Sequence, residues 1–286
     1  MKRVLVTGSN GQLAKSIHKV SRTYDNITFV YTDIEELDIT NQSALNSSFT
    51  DQKFHYCINC AAYTDVDKAE TDIETAHKIN VTGAQNLASV CSEFGVVLIH
   101  ISTDFVFDGE NDQLYKEEDH PLPLSIYGQT KLDGEKAITS VLENYFIIRT
   151  SWLYSEFGNN FMKTMLRLGN ERKELSVVND QIGTPTYAKD LANIILNIID
   201  SQNQDFGLFH FSNEGLVSWY DFAKEIFLKE GILVELTPIP TSKYPTPARR
   251  PKYSVLDKTK IKKVLRVEIF DWKDSLKRAL RAYRNL

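Results

Sequence analysis

Lys2-Arg3-Val4-Leu5-Val6-Thr7-Gly8-Ser9-Asn10-Gly11-Gln12-Leu13-Ala14 opens the chain, and its reading decides the fold. Val4-Leu5-Val6 is a short apolar, β-branched run stopped by a glycine, the pattern of a buried strand. Helical spacing follows from Gly11 to Val20. A strand that turns through glycines straight into a helix brings free backbone N–H groups and the positive end of the helix dipole to one point, which suits a dinucleotide pyrophosphate. Gly8 permits the tight turn and Gly11 lets the backbone approach the phosphates. Ala14 is small enough for the helix to pack on the sheet. Asn10, Gln12 and Leu13 share the turn. A turn without a ligand is the bland alternative, but the position directly after the first strand favours the nucleotide.

The alternation continues downstream. Strands are predicted at Phe29–Thr32, His55–Cys60, Val96–Ile101 and Tyr145–Arg149, and helices at Thr75–Phe94 and Ser125–Val141. Continuously apolar strands separated by helices imply a mainly parallel sheet with helices on both faces. After Arg149 the rhythm loosens. Helices are expected at Asn160–Leu168, Lys189–Ile199, Ser218–Glu230 and Trp272–Tyr283, and short strands at Leu175–Val178 and Leu208–Phe211, with an extended, proline-rich stretch from Pro238 to Pro251. The expected class is α/β. A dinucleotide-binding unit spans residues 1–150 with a segment near 176–200. A smaller, partly interwoven unit takes 151–175 and 201–286 and holds the substrate.

Composition narrows the function. The chain has 286 residues, 42% hydrophobic and 25% charged, as in an ordinary globular protein, and a net charge of -5 that gives a nucleic-acid backbone nothing to bind. No apolar run approaches the ~20 residues of a membrane span, and Val4-Leu5-Val6 is too short for a secretory leader, so the cytoplasm is expected. Three cysteines, an odd number, suit a reducing compartment.

Asp33 ends the second strand, where a carboxylate bonds the adenosine ribose and repels a 2′-phosphate, a lean towards NADH over NADPH. A plain turn aspartate is the alternative for Asp33, and Asp38, with Ile39 beside it, is a second candidate, for the adenine end. Tyr127 and Lys131 stand four apart on a predicted helix and share a face. A carbonyl reduction needs a proton donor at the carbonyl oxygen, and an ammonium beside a phenol lowers its pKa. Lys131 can also hold a ribose hydroxyl, and Thr103, at a strand end, can bond the carbonyl oxygen. Cys57 and Cys60 lie within an apolar strand, face opposite sides and read as inert, with Cys91 on a distant helix. His100 reads as a packed residue, and Lys277, Arg278, Arg281 and Arg284 as a solvated helical face.

Thr7-Gly8 to Ala14 together with Tyr127 and Lys131 resemble the extended short-chain dehydrogenase/reductases. Within these, the chain resembles the dTDP-4-dehydrorhamnose reductase family along its whole length. The resemblance rests on Asn59 to Thr64, Val66 to Glu70, Ser102 to Gly109, Tyr127 to Leu132, Arg149 to Tyr154, Val178 to Thr186 and Pro245 to Pro251. It implies a Rossmann-type doubly wound parallel sheet, NADH or NADPH as cofactor, and reduction of the C4 ketone of a dTDP-sugar for cell-surface polysaccharide. It implies Tyr127 as proton donor, Lys131 as its partner and Thr103 as a tuner of the proton relay. Gly8, Asn10, Gly11, Gln12, Leu13, Asp33, Asp38, Ile39, Ala61, Ala62 and Tyr63 fall at cofactor positions. Thr103, Asp104, Trp152 and Arg250 fall at substrate positions, with Asn179-Asp180-Gln181 serving the same pocket.

Tyr63 stands where a histidine is common. Some members form magnesium-bridged homodimers through glutamates, but Lys15-Ser16-Ile17 carries no acid, which argues against a metal-bridged dimer here; a homodimer without metal is compatible with the family. Two alternatives stay open: a related nucleotide-sugar reductase or epimerase of different stereochemistry, and a non-catalytic regulatory subunit that keeps the cofactor fold.

Overall fold

The computed structural model describes residues 1–286. Its centre is a six-stranded sheet made of β1 (Lys2–Thr7), β2 (Ile27–Thr32), β3 (Tyr56–Asn59), β4 (Val97–Thr103), β5 (Tyr145–Thr150) and β10 (Gly207–His210), in the order β10-β5-β4-β3-β1-β2. Every neighbouring pair is parallel. On one face α1 (Gln12–Ser21) and α8 (Ala188–Asp200) pack; on the other lie α2 (Gln42–Gln52), α5 (Ala84–Phe94) and α6 (Ile126–Thr139). The pleat explains the near-continuous apolar strands. Val4 and Val6 join the cluster with Ile17 of α1 and Ile195 of α8, while Leu5 between them joins Phe49 of α2 and Leu87 of α5. Each such full burial contributes about 1.5–3 kcal/mol. The fold is therefore the expected doubly wound α/β class. The strand order reverses between β1 and β3, where a crevice opens at the strand carboxyl ends.

The predicted helix from Thr75 to Phe94 is helical throughout, but its winding changes partway along. α3 (Val66–Ala69) and α4 (Ile73–His77) precede a wide π-helical turn, Lys78–Gly83, which then runs into α5. Buried Asn80 sits in that turn. Its amide donates to the Tyr63 carbonyl at 3.2 Å and to Thr130 Oγ1 at 3.1 Å, and its Oδ1 accepts the Tyr63 N–H at 2.8 Å. The Asn80 carbonyl lies against Gly134 of α6, where any side chain would collide.

The later half forms a second cluster. α7 (Phe161–Glu171), β7 (Glu174–Val178), α9 (Trp219–Glu230) and α11 (Trp272–Arg284) bury Met162, Phe222, Ile226 and Leu276 together. β7 pairs in parallel with β12 (Glu235–Ile239), which begins the stretch expected to be merely extended; in a two-stranded sheet Pro238 costs no second ladder. Small pairings complete the connection: β6 (Leu153–Tyr154) with β9 (Thr186–Tyr187), and β8 (Ile182–Gly183) with β11 (Val217–Ser218). α10 (Thr259–Leu265) sends Ile261 into the cluster beneath α8.

Three placements differ from the expectations. β10, left by sequence in the smaller unit, pairs with β5 because Phe209 completes the core of the large sheet. Segment 176–178, expected with the large unit, belongs to β7 and its partner β12. Arg278 does not simply face solvent: it donates to buried Asp190 at 2.7 Å and lies over the Phe270 ring at 4.1 Å. Cys91, though far in sequence, packs beside Cys57 in the α5 cluster, and burial with that neighbour pushes its thiol pKa up. No group of histidine, cysteine, aspartate and glutamate side chains is gathered as a metal site. No helix is long and apolar enough to cross a membrane.

Candidate active site

A cleft of about 710 Å³ opens where the strand order reverses, over the ends of β1, β3 and β4. The glycine turn lines it. Gly8 has φ +64°, and a Cβ there would stand 2.7 Å from the Ala61 nitrogen, so both the turn and the close approach to the end of β3 require glycine. Gly11 is the N-cap of α1 and no side chain caps that helix. Its first-turn N–H groups are left for an anion, and Gly11, Gln12 and Leu13 all face the cleft. These features fit a dinucleotide pyrophosphate. Asp33 and Asp38 also line the cleft, but both are engaged by the backbone. Asp33 accepts the N–H of Asn10 at 2.8 Å and of Ile34 at 2.9 Å. Asp38 accepts the N–H and hydroxyl of Thr40 at 2.8 and 2.9 Å. Ile39 reaches the cleft from a buried position against Gly83. Ala61 and Ala62 line it as well. Tyr63 does not: it turns away, and its phenol donates to Asp72 at 3.1 Å.

Tyr127 stands in the first turn of α6, and that end of the helix is firmly held. Ser125 Oγ accepts the Gly128 N–H at 3.1 Å, and Glu70 Oε1 accepts the Ile126 N–H at 2.9 Å. Gly128 lies so close to the Phe105 carbonyl that no side chain would fit, and the Phe105 ring meets Tyr127 edge-on at 5.6 Å. Burial pushes the Tyr127 phenol up to about 12; the nearby Thr103 hydroxyl pulls it partly back and Asp104 raises it. The expected lowering by Lys131 is not what dominates. Lys131 Nζ donates to the Ile101 carbonyl at 2.6 Å and meets His100 Nε2 at 3.3 Å. Burial brings the lysine down to about 8, against the upward pull of Glu135 and Cys60.

Thr103 and Asp104 follow β4. The Thr103 hydroxyl donates to Asp104 Oδ1 at 3.1 Å and accepts the Phe105 N–H at 3.2 Å. Burial pushes the Asp104 carboxyl up to about 6, with the nearby Ser254 and Thr103 hydroxyls pulling the other way. Its Oδ2 is buried and accepts no hydrogen bond. Beneath them a buried network that sequence did not suggest ties α6 to the sheet. Arg149 of β5 grips Glu135 with bonds of 2.9 and 2.6 Å, and Ser102 donates to the same carboxylate at 2.5 Å. The available signal was Glu135, four residues past Lys131 and so on its face of the helix.

From the later part of the chain, Trp152 and Arg250 both reach the cleft. Trp152 has φ 46°, a left-handed conformation rare for so bulky a residue. Its indole stacks on Trp219, centroids 3.5 Å apart, and its edge lies on Gly183, where a Cβ would come within 2.6 Å. Trp219, the first residue of α9, lines the same cleft and was missed; nothing local marks it. Arg250 donates to both oxygens of Asp67, at 3.1 and 2.7 Å, and this pairing lowers the Asp67 carboxyl. Asn179-Asp180-Gln181 is not brought to the cleft. Asp180 accepts from the backbone and hydroxyl of Thr241, and Gln181 donates to that hydroxyl at 3.0 Å.

The chain matches the RmlD substrate binding domain family over residues 1–285. It is 41% identical over 293 residues to a dTDP-4-dehydrorhamnose reductase from Aggregatibacter actinomycetemcomitans, covering 99% of each chain. A crystal structure of such a reductase from Clostridium acetobutylicum superposes with a TM-score of 0.95 at 44% identity and 99% coverage of both chains. One from Bacillus anthracis, in complex with NADP, superposes with a TM-score of 0.94 at 41% identity, covering 99% of this chain and all of that one.

Proposed function

The chain belongs to the RmlD substrate binding domain family, and from that membership we propose that it is an NAD(P)H-dependent dTDP-4-dehydrorhamnose reductase. It reduces the C4 ketone of dTDP-4-dehydro-β-L-rhamnose to dTDP-L-rhamnose, a precursor of cell-surface polysaccharide. The observation that carries the residue assignments is the meeting, in one cleft, of the uncapped glycine turn with Thr103, Tyr127 and Lys131.

A reduced nicotinamide dinucleotide, when bound, supplies the hydride. The first-turn N–H groups of α1 would hold its pyrophosphate, and Asp33 and Asp38, at the same end of the cleft, would serve its ribose and adenine. The Tyr127 phenol gives its proton to the C4 oxygen. Pushed up to about 12, it is wholly protonated near neutrality, yet it is still a far stronger acid than the alcohol that forms at C4, so proton transfer to the developing alkoxide runs downhill. Thr103 orients that oxygen. Asp104 Oδ2, buried without a donor, accepts a sugar hydroxyl. Trp152 packs on the deoxy-sugar face, and Arg250 and Asp67 form a charged border for the nucleotide end.

The large sheet with α8 and β10 is the cofactor unit in this reading, and the cluster of α7, α9 and α11 with β7 and β12 is the sugar-nucleotide unit. The test is incubation with the 4-keto sugar nucleotide and NADH or NADPH, with the product read by NMR. Cofactor oxidation with the L-rhamno configuration is expected. An L-talo product, or no turnover with either cofactor, overturns the proposal.

A further inference from the structure

His100 is almost wholly buried, has no part in the chemistry above, and lies at the middle of a hydrogen-bonded chain that ends on Lys131. The Ala61 backbone N–H, which can only donate, reaches Asn59 Oδ1 at 3.1 Å, and the Thr7 hydroxyl donates to the same oxygen at 2.7 Å. The amide of Asn59 is thereby oriented, and its other end, Nδ2, can only donate. It meets His100 Nδ1 at 3.0 Å, so that nitrogen must offer its lone pair. A neutral imidazole accepting at Nδ1 carries its proton on Nε2. Nε2 faces Lys131 Nζ at 3.3 Å, and both residues are almost wholly buried. The opposite tautomer would need Asn59 flipped, setting the NH2 of this buried side chain against the half-buried Ala61 N–H and leaving both without an acceptor, at a cost of about 1–3 kcal/mol.

We propose that His100 is a positioning residue for Lys131, presenting it with an N–H donor through the Ala61–Asn59–His100 chain, so that Lys131 is held poised between amine and ammonium and is not a fixed cation. An amine lone pair accepts the imidazole proton, whereas an ammonium turns its own hydrogens against it. The Ile101 carbonyl accepts from the lysine in either form, and the titratable groups near it are Glu135 and Tyr127 on its own helix and Cys60 after β3. Glu135 favours the ammonium but is itself gripped by Arg149, and Cys60 is a thiol whose proton burial holds on. Consistent with this balance, burial brings Lys131 down to about 8, and burial together with Lys131 holds His100 well below the usual imidazole range. On the reductase reading, on which its functional meaning rests, such a lysine can return a proton towards Tyr127 after each turnover and take its replacement from solvent in the cleft it lines.

The test needs no substrate. In protein labelled with [15N]histidine, long-range proton–nitrogen NMR correlations report the tautomer of each imidazole, and His100 should remain neutral with its proton on Nε2 from about pH 6 to 9. A proton on Nδ1, or an imidazolium in that range, overturns the proposal without any variant. In protein labelled with [ε-13C]lysine, with Lys131→Met assigning the signal, His100→Asn keeps an acceptor for Asn59 but removes the donor to Lys131. The Lys131 midpoint should then rise by about one pH unit. His100→Gln restores an N–H near the lysine and should hold the midpoint close to wild type. No rise in His100→Asn, or an equal rise in both variants, sinks the idea. A failed reductase assay would leave these signals untouched, and failed signals would leave the reductase assay untouched.

Discussion

Trp152 and Trp219 stack face to face, centroids 3.5 Å apart and planes within 8° of parallel, at the seam between the large sheet and the later helices. The contact helps hold Trp152 in a strained left-handed conformation, φ 46°. Trp219→Ala should therefore raise KM for the sugar nucleotide several-fold, in line with the ~0.5–1.5 kcal/mol of an aromatic pair, and leave KM for NADH unchanged. Steady-state kinetics in both substrates decide it; an equal change in both constants, or none, removes Trp219 from substrate binding.

Tyr127→Phe removes the proposed acid and should cut kcat by at least ~10²-fold while nucleotide still binds. Lys131→Met should lower turnover and also weaken NADH binding, read by fluorescence titration. Near-normal turnover of Tyr127→Phe would refute the proton-donor assignment.

Arg250→Ala opens the paired contact with Asp67 and should raise KM for the dTDP-sugar with little effect on KM for NADH. Lysine cannot match a two-pronged grip, so Arg250→Lys should restore little. Unchanged constants would place the group outside the substrate site and make Arg249 the next residue to test.

Asp33 both borders the cleft and holds the glycine turn through Asn10. Asp33→Ala should lower the ratio of kcat/KM for NADH over that for NADPH, and should weaken NADH binding as the turn loosens. If the ratio stays where it was, the residue serves the turn alone.

Asp104 is raised by burial to about 6, so its folded state disfavours the carboxylate. Relative to an unfolded aspartate near ~3.9, stability is lost as pH climbs from about 4 to about 6 and stays lost above. Asp104→Asn should melt higher than wild type near about pH 7.5, with the gap closing near about pH 4. Thermal scans across that range check the sign. In kinetics, KM for the sugar should fall in wild type as the carboxylate forms and gain acceptor strength, and this dependence should vanish in the variant.

The start of the molecule was legible because it is local. An apolar strand, glycines and a helix follow one another within the reach of the backbone, and the switch-point cleft comes from repeating that alternation. Tyr127 and Lys131 share a face because helical spacing alone puts them there. Periodicity also located the later helices, although it could not show that Asn80 widens a turn to reach Thr130.

What the tertiary structure decided concerns the partners of side chains. Trp219 meets Trp152, Arg250 meets Asp67, and Asn59 directs His100 at Lys131 across strands and helices far apart in sequence. Tyr63, adjacent to the alanines of the cleft, turns instead to Asp72. Burial, not the neighbouring lysine, governs the Tyr127 phenol. Spacing along a chain determines which face of its own element a residue occupies; packing between elements determines what that face meets and how much water remains there, and these set each contact and each pKa.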